Sequence, residues 1–158
     1  MRAAVITVST SKARGEGEDE SGVALAAIAR RLGADSVERD VVGDERDAIA
    51  ARIVYFADGR GCDLVLTTGG TGLSPSDVTP EATRAVIERE APGIAEAMRA
   101  ASREHTRHWM LSRGVAGVRG ATLIVNFPGN PRSIEQAAEP LLASLPHGLE
   151  LLAGGRPH

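Results

Sequence analysis

Residues 64–83 dictate more about the architecture than any other stretch of the chain. A short apolar run, Leu64-Val65-Leu66, passes through Thr67-Thr68 into Gly69-Gly70-Thr71-Gly72, then to an isolated acid, Asp77. Thr79-Pro80-Glu81 then reads as a helix start: Thr79 as N-cap, Pro80 in the first turn, Glu81 at the positive end of the dipole. A strand that ends in a glycine-rich turn and continues as a helix presents backbone N–H groups to a phosphate. It also belongs to α/β chains, in which strands and helices alternate.

The rest of the chain repeats that alternation. Residues 3–8 form a continuous apolar run, the mark of a strand buried on both faces. Residues 9–19 read as a loop, followed by a helix from Ser21 to about Leu32 that Gly33 ends. A strand is predicted over 37–42, a turn at Gly43-Asp44, a helix over Glu45–Ala57 and a strand over Asp63–Thr67. Helices are predicted from Thr79 and from Pro92-Gly93 to about Arg103. Residues 104–120 carry no clear pattern. Thr122–Phe127 is a strand, Pro128-Gly129 a turn, and Asn130 caps a helix that starts at Pro131 and reaches about Leu145. A last helix spans Pro146–Leu152. The fold class is therefore α/β, a three-layer sandwich whose mainly parallel central sheet is covered by helices on both faces. One domain over 1–153 is expected, with 154–158 as a frayed tail.

In such a sheet, ligands sit at the carboxyl ends of the strands. Ser9–Ser11, Gly43-Asp44, Thr68–Gly72 and Pro128–Asn130 each follow a predicted strand, so chain order places them on one rim. The glycine loop is not a dinucleotide fingerprint, because the third glycine would fall at Pro75. No lysine follows it, so it is not the nucleoside-triphosphatase loop either. Phosphate binding by backbone and hydroxyl groups is what remains. Asp77 and Asp44, both on that rim, suit a hydrated Mg²⁺, which takes one or two protein oxygens plus substrate phosphates. Asp44 reads equally as a cap for the helix that follows it, and Asp19 as a cap for the first long helix. His105 and His108 have no third ligand nearby and read as surface or interface residues. Trp109 reads as core or subunit interface.

Composition removes other classes. The 158 residues include 18 basic and 21 acidic side chains, for a net charge of −3. No broad basic surface exists, so no nucleic-acid partner is expected. No long apolar segment exists, so no membrane partner is expected. A single cysteine, Cys62, precludes an intrachain disulfide and fits a reducing compartment. With no signal-peptide pattern, the cytoplasm is the expected location. Lys12 is the only lysine, in the loop after the first strand, where a cation can meet a phosphate.

Thr67–Thr83 resembles the signature of the MoaB/Mog family, the molybdopterin adenylyltransferases of molybdenum cofactor biosynthesis. The likeness extends over nearly the whole chain: Ser9, Asp19–Gly22, Gly43–Glu45, Pro92-Gly93, Leu111-Ser112-Arg113, Val115–Gly120 and Leu123–Pro131. The resemblance implies a homotrimer that uses Mg²⁺ and ATP to adenylylate molybdopterin, releasing pyrophosphate and handing the product to a molybdenum insertase. By position it implies Asp44 and Asp77 as catalytic and metal-holding acids. It implies Thr68, Gly69, Gly70, Thr71 and Gly72 as the nucleotide loop, and Ser9, Ser112, Arg113, Pro128 and Gly129 as molybdopterin contacts. Two positions depart from the family pattern. Ser76 stands where many members carry arginine, and Thr10 where many carry aspartate. Two alternatives stand beside this reading: a pterin- or nucleotide-binding protein of the same fold without the chemistry, and a competence-damage-type domain acting on other nucleotides.

Overall fold

The computed structural model describes residues 1–155. Its strands are β1 (Arg2–Val8), β2 (Ser36–Val42), β3 (Leu64–Thr68), β4 (Arg89–Glu90), β5 (Ala116–Arg119) and β6 (Thr122–Phe127). They form one six-stranded sheet in the order β2-β1-β3-β6-β5-β4. β2, β1, β3 and β6 run parallel, with Val5 opposite Arg39 and Leu66, and Leu66 opposite Val125. β5 and β4 close one edge antiparallel.

The helices are α1 (Thr10–Ala13), α2 (Glu20–Arg31), α3 (Arg46–Val54), α4 (Thr79–Val86), α5 (Pro92–Ser102), α6 (Pro131–Ala138) and α7 (Leu145–Leu152). Side chains alternate across β1 between two cores. Ala3 and Val5 join Leu25 and Ile28 of α2, Phe127, and Ile134 of α6. Ala4, Ile6 and Val8 join Ile49 and Ile53 of α3 and Ala82 and Val86 of α4. A strand whose two faces both meet helices must be apolar without alternation, and β1 is. The result is the three-layer α/β sandwich with a mainly parallel sheet.

Several local expectations need correction. The segment after Ser9 is not all loop: Ser9 Oγ accepts from Lys12 N–H and starts the short α1. Thr79 is not the N-cap of α4 but its first residue. Val78 holds the cap position, and the Thr79 hydroxyl donates instead to Gly69 O at 2.9 Å. The third helix loosens into a π-turn over Tyr55–Gly59, where Arg60 N–H bonds Tyr55 O. The helix after Asn130 stops at Ala138 and tightens to a 3₁₀ turn, Glu139–Leu141. Pro140 lacks the N–H that would continue it. Gly154 and Gly155 donate back to Leu151 O and Glu150 O. The rest of the expected tail, 156–158, lies outside the described residues. Among the described residues no helix is long and apolar enough to cross a membrane.

Candidate active site

The four strand-end segments share one rim, because β2, β1, β3 and β6 all point the same way. The glycine loop is pressed against its neighbours there. Gly69 and Gly70 have φ of +98° and +67°, and a Cβ would stand 2.4 Å from Val8 O at the first and 2.3 Å from Thr79 Oγ1 at the second. No side chain fits either position, and the φ values favour glycine. Gly69 N–H is used by Phe127 O at 3.2 Å. Among the described residues, the N–H groups of Gly70, Thr71 and Gly72 meet no protein acceptor. Consecutive free N–H groups in a tight loop are what an anion needs.

The two acids are held alike. Asp44 Oδ2 accepts from Thr10 N–H at 3.0 Å and from Thr10 Oγ1 at 2.9 Å. It thus steadies the start of α1 rather than capping α3, whose N-cap is Glu45. Asp77 Oδ2 accepts from Ser74 N–H at 3.0 Å. In both, Oδ1 accepts no hydrogen bond among the described residues. Asp44 follows β2 and Asp77 follows β3, with β1 between them in the sheet. No cluster of three or more metal-binding side chains occurs among the described residues. Each acid thus keeps one carboxylate oxygen free, the hard oxygen donor that Mg²⁺ takes alongside water and phosphate.

Pro128-Gly129 is fixed from both sides. Thr68 Oγ1 donates to Pro128 O at 2.6 Å, and Ser21 Oγ donates to Gly129 O at 2.9 Å. Two cavities meet at this turn. One, of about 600 Å³, is lined by Ser9, Lys12, Asp19, Thr68, Gly69 and Gly129 among others. Asp19 there caps α2 through Gly22 N–H, as expected, and also receives Thr7 Oγ1 and Arg39. The other, of about 290 Å³, is lined by Arg99, His108, Trp109, Ser112, Pro128 and Gln136 among others. Asn130 borders both. Of the residues singled out by sequence, Ser9, Thr68, Gly69 and Gly129 face the first cavity, and Ser112 and Pro128 the second. Asp44, Asp77, Gly70, Thr71 and Gly72 stand on the rim outside both.

Arg113 is directed elsewhere. Its guanidinium donates to Gly72 O and Asp77 O, each at 2.7 Å, and to the Glu81 carboxylate at 2.8 Å. This hydrogen bonding holds Glu81 below its ordinary value of 4.5 and raises Arg113 in return. Arg99, which the sequence reading passed over, donates to Gly114 O at 2.9 Å and has no carboxylate within 4.0 Å among the described residues. Asn126 was also passed over. Buried in an apolar strand, it donates to Thr67 and Thr83 hydroxyls and accepts from Val115 N–H. A lone amide inside Leu-Ile-Val-Asn-Phe was the available signal. Trp109 lines the smaller cavity rather than the core.

Residues 4–147 match the family model described as a probable molybdopterin binding domain. The chain belongs to this MoaB/Mog family. A molybdopterin adenylyltransferase of Helicobacter pylori is 38% identical over 152 residues, covering 95% of this chain and 86% of that protein. One from Escherichia coli K12 is 39% identical over 130 residues, covering 75% of this chain and 67% of its own length. The crystal structure of the molybdopterin biosynthesis enzyme MoaB from Thermus thermophilus superposes with a TM-score of 0.86 at 43% identity, covering 99% and 98% of the two chains.

Proposed function

We propose that this MoaB/Mog protein adenylylates molybdopterin. An oxygen of the pterin's terminal phosphate attacks the α-phosphorus of ATP, the bond to the β-phosphate oxygen breaks, and pyrophosphate leaves with adenylyl-molybdopterin as product. The observation that carries the reading is the meeting of two differently lined cavities at the Pro128–Asn130 turn, beside a loop with free N–H groups. The smaller cavity, with Trp109, His108, Gln136 and Ser112, suits a flat, hydrogen-bonding pterin. The larger cleft, with Lys12 and the start of the glycine loop, suits the nucleotide. The free N–H groups of Gly70, Thr71 and Gly72, on the same rim beside the larger cleft, suit a phosphate of the bound nucleotide.

Asp44 and Asp77 would hold Mg²⁺, which offsets phosphate charge when bound. Each is oriented through one oxygen, which leaves the other free for an ion. The reading also includes the wider expectations: ATP as co-substrate, a homotrimer, and a molybdenum insertase receiving the product.

The test is direct. Wild-type protein with Mg-ATP and molybdopterin is expected to release pyrophosphate and form the adenylylated pterin, with neither product when ATP or the pterin is left out. Tight pterin binding without either product would overturn this reading in favour of a binding protein.

A further inference from the structure

The excursion from Gly72 to Asp77 is a surface loop closed on itself by Asp77 N–H to Ser74 O at 2.9 Å and Ser74 N–H to Asp77 Oδ2 at 3.0 Å. Leu73, Ser74, Pro75 and Ser76 are exposed, with Leu73 at 66%. No side chain within it reaches the core, yet it carries Asp77. Thr79 ties its flanks through Gly69 O and Gly70 O, and one residue from a distant part of the chain joins its two ends as well. Arg113 Nε donates to Gly72 O and Nη2 to Asp77 O, each at 2.7 Å. Nη1 donates to both oxygens of Glu81, at 2.8 and 3.1 Å, on the first turn of α4. The Arg113 N–H donates to Thr71 O at 2.8 Å. Main chain and guanidinium together therefore fasten the loop at Thr71, Gly72 and Asp77, and Glu81 fixes the guanidinium plane.

Each guanidinium nitrogen has a protein acceptor, and Arg113 lines neither cavity that meets at the Pro128–Asn130 turn. Its neighbour Ser112 does line the smaller one, and Ser112 O lies 3.4 Å from Arg99 Nη1 of α5. A planar fork that bridges two carbonyls and a carboxylate is specific to arginine, because an ammonium cannot span that geometry.

We propose that Arg113 is a positioning residue: it sets the place of Asp77 by clamping the glycine loop to α4, and does not itself bind the pterin. The kinetic part of this proposal rests on the adenylyltransferase reading; the structural part does not. Arg113→Lys is expected to lower kcat by roughly 10²-fold, the loss that follows a displacement of about 1 Å in a catalytic group. The Kd for molybdopterin should stay at the wild-type value. Glu81→Gln keeps both main-chain carbonyl contacts of Arg113 and is expected to lower kcat by less. Should the lysine variant fail to fold, the Glu81→Gln measurements carry the test. Wild-type kcat in Arg113→Lys overturns the proposal. So does a weakened molybdopterin Kd with kcat kept, which would make Arg113 a direct pterin contact.

Hydrogen exchange without ligand at the bonded amides of this loop, those of Ser74, Asp77, Thr79 and residue 113, reads the clamp independently. Faster exchange in Arg113→Lys and, more weakly, in Glu81→Gln supports it, and unchanged exchange overturns it. If the wild-type protein releases no pyrophosphate, the adenylyltransferase reading fails by itself, and the exchange measurement still decides the role of Arg113.

Discussion

Asp44 and Asp77 each commit one carboxylate oxygen to the protein and leave the other unbonded among the described residues. That division makes a clean substitution possible. In Asp77→Asn the amide oxygen still accepts from Ser74 N–H, so the 74–77 turn persists while the charge is lost. Turnover should fall by roughly 10²-fold or more, the usual loss when one preorganised electrostatic contact is removed. Stability should change by about 0.5 kcal/mol or less, as at a surface site. Pyrophosphate release and a urea titration on the same sample check both, and near-normal turnover would remove Asp77 from the chemistry. The departure at Thr10 has a structural counterpart: its hydroxyl donates to Asp44 Oδ2 and accepts from Asp44 N–H at 3.1 Å. Asp77 stands out in the sequence as an acid between a glycine loop and a helix start, and the structure adds a local role for its Oδ2, which accepts from Ser74 N–H. The clamp through Arg113 was not legible there, since it needs Glu81, 32 residues away in sequence. Arg99 carries no distinguishing sequence signal, because its role depends on α5 lying beside residues 112–114.

At the level of elements, what could be read was what repeats. β1, β3 and β6 are apolar runs, each followed by a helix, and the sheet places all three in its interior. The missed strands lie at the antiparallel edge. β4 is two exposed charged residues, Arg89 and Glu90, which give no hydrophobic signal. β5 is Ala-Gly-Val-Arg, and glycine disfavours a strand by propensity. Tertiary packing overrides that preference. A Cβ at Gly117 would stand 2.6 Å from Ile87 Cδ1 and 2.7 Å from Arg89 O, so the close approach of β4 requires the glycine. The segment 104–115 was opaque for a related reason. It has one short 3₁₀ turn, Trp109–Leu111, and is otherwise shaped by the smaller cavity and by the glycine loop it fastens. Thr106, His108, Trp109, Ser112 and Gly114, a third of the lining of the candidate pterin cavity, thus come from the part of the chain with the weakest periodicity.

At the scale of the molecule, the homotrimer is part of the proposed function, and the exposed apolar side chains Leu73, Met110 and Leu111 are its candidate surface. Light scattering should return the mass of three copies of the 16.5 kDa chain, and the mass of one would contradict it. A second whole-molecule property comes from ion pairs that tie distant segments together. Hydrogen bonds from the Met1 amine, Arg60, Arg119 and Arg113 hold Asp35, Glu38, Asp58 and Glu81 below their ordinary values of 3.8 for aspartate and 4.5 for glutamate. A depressed folded-state pKa means that the unfolded chain binds more protons as the pH falls through that range. The stabilisation is therefore complete above about 4.5 and is lost progressively below it. The amine runs the other way. Its hydrogen bond to Asp35 raises it above 8.0, so its contribution is complete below 8.0 and is lost as pH rises through the higher folded-state value. These groups are solvent-exposed, so each contribution is small and is screened by salt. The urea midpoint should accordingly be highest between these limits and fall on acidification below about pH 4.5, less steeply in roughly 1 M salt. A midpoint that rises as the pH drops from about 5 to about 3 would show that these pairs do not stabilise the fold.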